Sequence, residues 1–420
     1  MRAVIIGNSA AALAAAESFR LLDRSSELTL LSVEPGPAYS RVLLPYYLRG
    51  LLPRERMFIR DLADYQALGV QTRFGCAVTR VDDRQRTLTV GGSTLTWDRL
   101  LVATGARPVL PRVPDLEGPG LHTLWTLKDA DGLLPELLPG RRAVFIGSGF
   151  VALQAAWAAS ARGLRVTVLE ALPRVLPKVL DESGSAMLEA AMRAHGVEVR
   201  CAVGIERVER PEAAGAAPLR VVLSCEDPSL DADLVVVGAG VRPDLAFLAG
   251  TAVRYEAGGI PVDERMSTGV PGIYAAGDAA LGPSVFGEAH AAQALWPTAV
   301  EQGKVAGANM AGGARIYPGS LTMNVAEMFG LTVASMGRFL EGGDPAEEAV
   351  VEQDPRAGRY VKVLYREGVP LGAVVLGDPE DLAMLAALRP RIRAGRPARL
   401  EPARPFRGLH RTLALQGSRR

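Results

Sequence analysis

Cysteine, histidine and lysine are scarce in this 420-residue chain. Its three cysteines, Cys76, Cys201 and Cys225, stand too far apart for a Cys-x-x-Cys pair, so the spacing gives neither a redox dithiol nor a thiolate zinc site. The histidines, His122, His195, His290 and His410, are scattered, which argues against a metal site. Long hydrophobic runs are missing too: none reaches the ~18 residues of a membrane span. No charged leader with a cleavage site precedes the first apolar stretch, so the expected location is the cytoplasm. The net charge of +1 gives no case for binding nucleic acid or membrane. That balance hides an asymmetry, because Arg389 to Arg420 holds ten arginines against the single acid Glu401, leaving the rest net acidic.

What is present is a repeated pattern. "AVIIG", "SAAALAAAESFRLL" and "ELTLLSVE" read as strand, tight turn, helix and strand. "RRAVFIGSGFVALQAAWAASARGLRVTVLE", Arg141 to Glu170, repeats this, with Gly147 in the place of Gly7. Two βαβ openings predict an α/β chain with two doubly wound, Rossmann-like, three-layer nucleotide-binding domains. "WDRLLVATGARPVLPRVP" and "DADLVVVGAGVRPDL" read as the exits from them. Beyond Tyr317, "LTVASMG", "EEAVVE", "RYVKVLYR" and "VPLGAVVLG" read as antiparallel strands, followed by a helix from about Asp378 to Leu388. The expected domains are 1–112 with 241–315, 113–240, a C-terminal α+β domain over 316–390, and an arginine-rich tail over 391–420.

A dinucleotide turn lets backbone N–H groups meet pyrophosphate at a helix N-terminus, where partial positive charge favours anions. Gly7 supplies the tight turn, Ser9 and Ala12 replace the second and third glycines, and Glu34 is placed to accept from a ribose. Taken alone, this stretch also fits an ordinary βαβ unit without ligand. The second copy keeps Gly147 and Gly149, has Ala152 third, and ends its next strand at Glu170. An acid there pairs with a free ribose diol and repels a 2′-phosphate, which favours NADH over NADPH, although Arg174 is close by.

"STGVPGIYAAGDA", together with "LLVATGARP" and the paired turns, resembles the pyridine nucleotide–disulfide oxidoreductase superfamily over roughly Met1 to Gly312. "EPGPAYSRVLLPYYLRG" and "LWPTAVEQGKVAGANMAGG" are most similar to the FAD/NADH module of assimilatory nitrite reductases and to NADH:rubredoxin reductases. The resemblance implies that the first turn (Gly7, Ser9, Ala10, Ala11, with Glu34) holds FAD. It implies that Asp278 bonds the flavin ribitol, Thr104-Gly105 lie along the cofactor, and Arg41 sits beside its pyrophosphate or ring. Amides near Trp296 would face the flavin edge that becomes negative on reduction, although Trp296-Pro297 is also an ordinary helix start. The second turn (Gly147, Gly149, Phe150, Val151, with Glu170) would hold NADH, Phe150 being either a nicotinamide gate or core. Gln154 replaces a glutamate common in the family.

Thiol-dependent members of the superfamily carry "CGLPYY"; this chain reads "VLLPYY", and Val42 can form neither thiolate nor disulfide. Hydride transfer from NADH to FAD remains, followed by electron release to a separate small redox protein or partner subunit of the ferredoxin or rubredoxin kind. No catalytic side chain beyond the flavin is required. The alternatives are an oxidase using O2 and a non-turnover sensor or assembly subunit. "YVKVLYREGVPLGAVVLGD" resembles the small interface domain of that group, so the resemblance also implies a homodimer with 316–390 as its C-terminal α+β interface domain. The tail could steer an acidic partner, but a solvated or dimer-covering tail is the favoured reading.

Overall fold

The computed structural model describes residues 1–211, 218–224, 229–287, 291–377 and 379–397. Cys225, His290, His410, Asp378 and the arginine tail from 398 onward lie outside them. The described residues form two units, those within Met1–Val109 and Val241–Leu321, and those within Leu110–Gly240 together with the described residues from Thr322 to 397.

In the first unit, Arg2–Ile6 is the central strand of a five-stranded parallel sheet. Glu27–Leu31 and then Val70–Arg73 lie on one side, Arg99–Val102 and then Ile273–Ala275 on the other. Residues 3–6 are buried without alternation, as expected of a parallel strand covered on both faces. The Ala10–Leu22 helix forms readily because its first turns are nearly all alanine. Its buried face ends in Phe19, which is fully enclosed. A meander of Val78–Asp82, Thr87–Val90 and Ser93–Thr96 joins the third and fourth strands.

The second unit repeats this plan. Arg142–Ile146 is central, Arg165–Leu169 and Val197–Arg200 lie to one side, Leu234–Val237 and Leu121–Thr123 to the other, all parallel. Its meander is Ile205–Glu209, Leu219–Leu223 and Leu230–Ala232.

The second unit also contains a five-stranded antiparallel sheet in the order Met323–Met328, Leu331–Gly337, Val369–Gly377, Arg359–Arg366, Glu347–Asp354. The strand Met323–Met328 was not expected from sequence. It is an edge strand whose apolar alternation is broken by an exposed Val325. The last helix, Leu382–Ala394, outruns the expected end at Leu388 by passing through Pro390. Pro390, inside the helix just ahead of its last turn, removes one backbone bond, and the buried pair Leu388 and Ile392 carries the core face across it. Gly395, at φ +57°, ends the helix.

Side chains tie this sheet to the nucleotide-type sheet of the same unit. Trp157 of the Phe150–Ala161 helix lies 6.1 Å from the Phe329 ring. The buried Lys362 pairs with Asp181 at 3.3 Å and Glu341 at 3.0 Å, while Tyr360 donates to Asp181. A buried ammonium needs such partners, since an unpaired one costs several kcal/mol.

Candidate functional site

The sheet and helix order places the end of each central strand, followed by a turn, at the start of an alanine-rich helix. Gly7 has φ +130°, and a Cβ there would lie 2.0 Å from the Ala103 carbonyl oxygen. Gly147 has φ +97°, and its Cβ would lie 2.5 Å from the Gly238 oxygen. Both glycines are thus demanded by the chain's own backbone. Gly149 is exposed and has nothing within 4 Å of an added Cβ, so protein packing does not require it.

Helix starts differ in whether the chain itself meets their leading N–H groups. Asp61, Thr126 and Asp181 cap their own helices through side-chain oxygens. The helices starting after Ser9, Gly149 and Leu295 have no side-chain cap and no acid in the first turn. Their leading N–H groups and partial positive charge are left for an anionic group.

In the first unit the Ala10–Leu22 and Trp296–Met310 helices run parallel in very close contact. A Cβ on Gly303 would lie 2.2 Å from the Ala11 oxygen, and one on Gly307 2.1 Å from the Ala15 oxygen. The pairing of 303 with 11 and 307 with 15 puts both N-termini at the same end. Gly277 sits between the helices there, with Ala11 Cβ 3.1 Å and Ala299 Cβ 3.5 Å from where its own would be. Its N–H donates to Gln302 Oε1 at 2.8 Å. Asp278 follows; burial pushes its carboxyl up to about 6, and Arg41 partly opposes the shift. Arg41 also pairs with Glu34, which accepts from the Tyr39 hydroxyl at 2.5 Å.

Thr104 follows the Arg99–Val102 strand, and its Oγ1 is buried with no hydrogen-bond partner. Gln293 Oε1, just before the uncapped Trp296 helix, is orphaned too. Gly105 next to Thr104 has open space at φ +70°. Buried polar atoms without partners are rare. Orphans beside uncapped helix ends fit a polar cofactor that the chain itself does not replace. Trp296 opens its helix and is half-buried against the first unit's core.

Sequence reasoning missed several residues of this site. Asn8 donates to the Gly36 carbonyl at 3.1 Å and accepts from Tyr65 at 2.7 Å, while Ala38 N–H donates to the Tyr65 hydroxyl at 3.0 Å. That chain of bonds fixes the loop carrying Glu34. Gln302, Gly303 and Gly307 were missed as well, although the Gly-x-x-x-Gly spacing was a readable sign of close helix contact.

In the second unit Phe150 is half-buried and Val151 exposed, both at the helix start. Ala152 is buried, and the space a third glycine would give comes instead from Gly238, whose Cβ would be 2.7 Å from that of Ala152. Glu170 is buried at the end of the Arg165–Leu169 strand. Its Oε2 accepts from Ser148 N–H at 2.9 Å and from the Ser148 hydroxyl; its Oε1 accepts from Leu172 N–H at 2.9 Å. A carboxylate offers about four acceptor positions, so one on Oε1 remains. Arg174 is half-buried, with Nε donating to the Leu180 carbonyl at 3.0 Å.

Val42 is exposed in the short turn Arg41–Leu43. Among the described residues the free cysteines are Cys76 and Cys201. Burial, then Glu189 and Glu170, push the Cys201 thiol up to about 11, which disfavours its thiolate. No helix of the described residues is long and apolar enough to cross a membrane.

Residues 1–303 match the pyridine nucleotide-disulphide oxidoreductase family, and the chain belongs to it. It is an oxidoreductase of the FAD- and NAD(P)(H)-using class. Residues 323–388 match the rubredoxin NAD+ reductase C-terminal domain. The chain is 33% identical over 377 residues to the NADH-dependent phenylglyoxylate dehydrogenase subunit epsilon of Aromatoleum evansii, covering 88% of this chain and 87% of that one. It is 27% identical to the assimilatory nitrate reductase electron transfer subunit of Bacillus subtilis, covering 90% of this chain but only 48% of the relative, about half its length. Among solved structures, the ferredoxin reductase for the CYP199A2 system of Rhodopseudomonas palustris superposes with a TM-score of 0.85 at 25% identity, over 95% of this chain and 96% of that one.

Proposed function

We propose that the chain takes electrons from NADH onto FAD and delivers them to a separate redox protein or partner subunit. The observation that carries this reading is the duplication: two turns of the same design, each ending in an uncapped helix, each followed by an acid. The first unit suits FAD, because two helix N-termini, Asp278, Arg41 and the orphaned Thr104 oxygen gather there. Bound FAD would supply the chemistry, accepting a hydride and releasing electrons singly. The chain's own residues bind and orient. Asp278 accepts from a ribitol hydroxyl, Thr104 Oγ1 gains a partner, and the 296–310 helix end favours negative charge on the flavin edge.

The second unit suits NADH over NADPH. Glu170 keeps one acceptor position for a ribose hydroxyl, and its charge opposes a 2′-phosphate. Phe150 is the candidate gate of the nicotinamide face. The names of two relatives, a dehydrogenase subunit and an electron transfer subunit, support delivery to a partner, while a 27% identical NADH oxidase keeps oxygen as the alternative acceptor. A cytoplasmic homodimer, with 316–390 as its interface module, completes the proposal.

The test is an anaerobic titration of the flavin-loaded protein with NADH and NADPH, following the visible flavin band, then addition of a ferredoxin or rubredoxin. One equivalent of NADH should bleach the band and NADPH should not; the redox protein should restore it faster than air does. An NADH-inert flavin, or a band restored by air alone, would overturn the reading.

A further inference from the structure

Ser148 occupies the variable position between the two glycines of the second turn, where sequence reading assigns no role. It is almost fully buried. Its hydroxyl donates to Glu170 Oε2 and accepts from Leu176 N–H at 3.2 Å. Leu176 is held at φ +45°, a left-handed conformation that a side chain resists. Ser185 Oγ donates to the Val175 carbonyl at 2.9 Å, and Leu172 N–H donates to Glu170 Oε1. One hydroxyl therefore joins the phosphate turn, the ribose acid and the 171–180 segment that carries Arg174 and Lys178. Arg174 stands four residues and Lys178 eight residues beyond Glu170, where a 2′-phosphate would sit.

We propose that Ser148 is a positioning residue for dinucleotide choice. By fixing the Glu170 carboxylate with its free acceptor on Oε1, and by holding the 171–180 segment, it lets the site take a free ribose diol and reject a 2′-phosphate. This rests on the assignment of NADH to the second turn. Ser148 acts through Glu170, so its removal shifts selectivity and has no effect once Glu170 has lost its charge.

The experiment is calorimetric binding of NAD+ and of NADP+ to the flavin-loaded full chain. It compares the parent, Ser148→Ala, Ser148→Thr, Glu170→Gln and the Ser148→Ala/Glu170→Gln double variant, with flavin content as the folding control. In Ser148→Ala, NAD+ affinity should fall about tenfold, as for loss of a hydrogen bond to a charged group, with NADP+ shifting by less than about twofold. KM for NADH should rise while kcat holds. Ser148→Thr, which keeps the hydroxyl, should hold the parental ratio. In the Glu170→Gln background, Ser148→Ala should leave the ratio unchanged, the non-additivity expected of residues in one network. A parental ratio retained in Ser148→Ala, or additive effects of the two changes, overturns the inference alone. A parent with no preference for NAD+ overturns the NADH assignment and the inference with it.

Discussion

The two turns share a backbone plan and differ in what fills it. Each starts with a glycine at positive φ whose absent side chain lets an adjacent strand carbonyl come close. At the second position the first turn has Ser9, whose side chain makes no cap, and the second has Gly149 in open space. At the third position Ala12 is fully buried, and Ala152 is accommodated by Gly238 on the neighbouring strand. The fingerprint's glycines therefore answer separate demands: the first serves the fold, the second meets no packing demand and is the one proposed to serve the ligand, and the third serves helix–strand packing that another residue can satisfy. The acids differ likewise. Glu34 is half-buried with Tyr39 and Arg41, whereas Glu170 is buried and held by the turn's own Ser148.

The largest effect should come from the fold-serving glycines. Gly7→Val and Gly147→Val combine a disallowed φ with a Cβ inside a carbonyl's radius, so each should cost at least about 3 kcal/mol. Thermal unfolding checks it, and a soluble Gly7→Val protein with parental flavin content would break the comparison.

Next is the pH dependence of the first unit. With its carboxyl pushed up to about 6, Asp278 keeps its proton in the folded, flavin-free protein at pH values where the unfolded chain, near 4, has lost it. The folded state binds more protons across that window, so this group's contribution to stability is greatest below about pH 4. It should fall by roughly 3 kcal/mol as the pH rises to 6 and then level off. Denaturant titrations of flavin-free Asp278→Asn between pH 4 and 7 should lack that decline relative to the parent.

Gly149→Ala sharpens the contrast with Gly147. Stability should change by no more than about 1 kcal/mol, because only an uncapped helix start is altered. NAD+ affinity should fall about tenfold, because the new methyl enters the approach to pyrophosphate. Unaltered affinity would show that the open space is not used.

The smallest effect concerns Thr104. Removing a buried hydroxyl with no partner by Thr104→Val should leave the flavin-free protein as stable or up to about 1 kcal/mol more so, while weakening FAD retention. Dialysis of the holoprotein measures the second half; parental retention would mean that FAD does not satisfy that oxygen.

The α/β architecture and the family were legible because both rest on local pattern: apolar strands, a glycine at a turn that only glycine can make, an alanine-rich helix. Gly7, Gly147 and Glu170 became candidates for that reason, whereas Asp278 became one only through the family resemblance. The strand Met323–Met328 was not legible, since an edge strand with an exposed Val325 lacks the alternation that marks the others. The helix running past Leu388 was missed because its buried contacts outweigh a local proline signal.

The sequence by itself determined where the chain turns and which residue types could meet a dinucleotide, because those needs are met within a few residues. Only the tertiary structure decided which groups are already satisfied. Gln302 reaches Gly277 across 25 positions, Ser148 reaches Glu170 across 22, and Asn8 reaches Tyr65 across 57. A hydrogen bond depends on distance in space, and sequence separation carries almost no information about that.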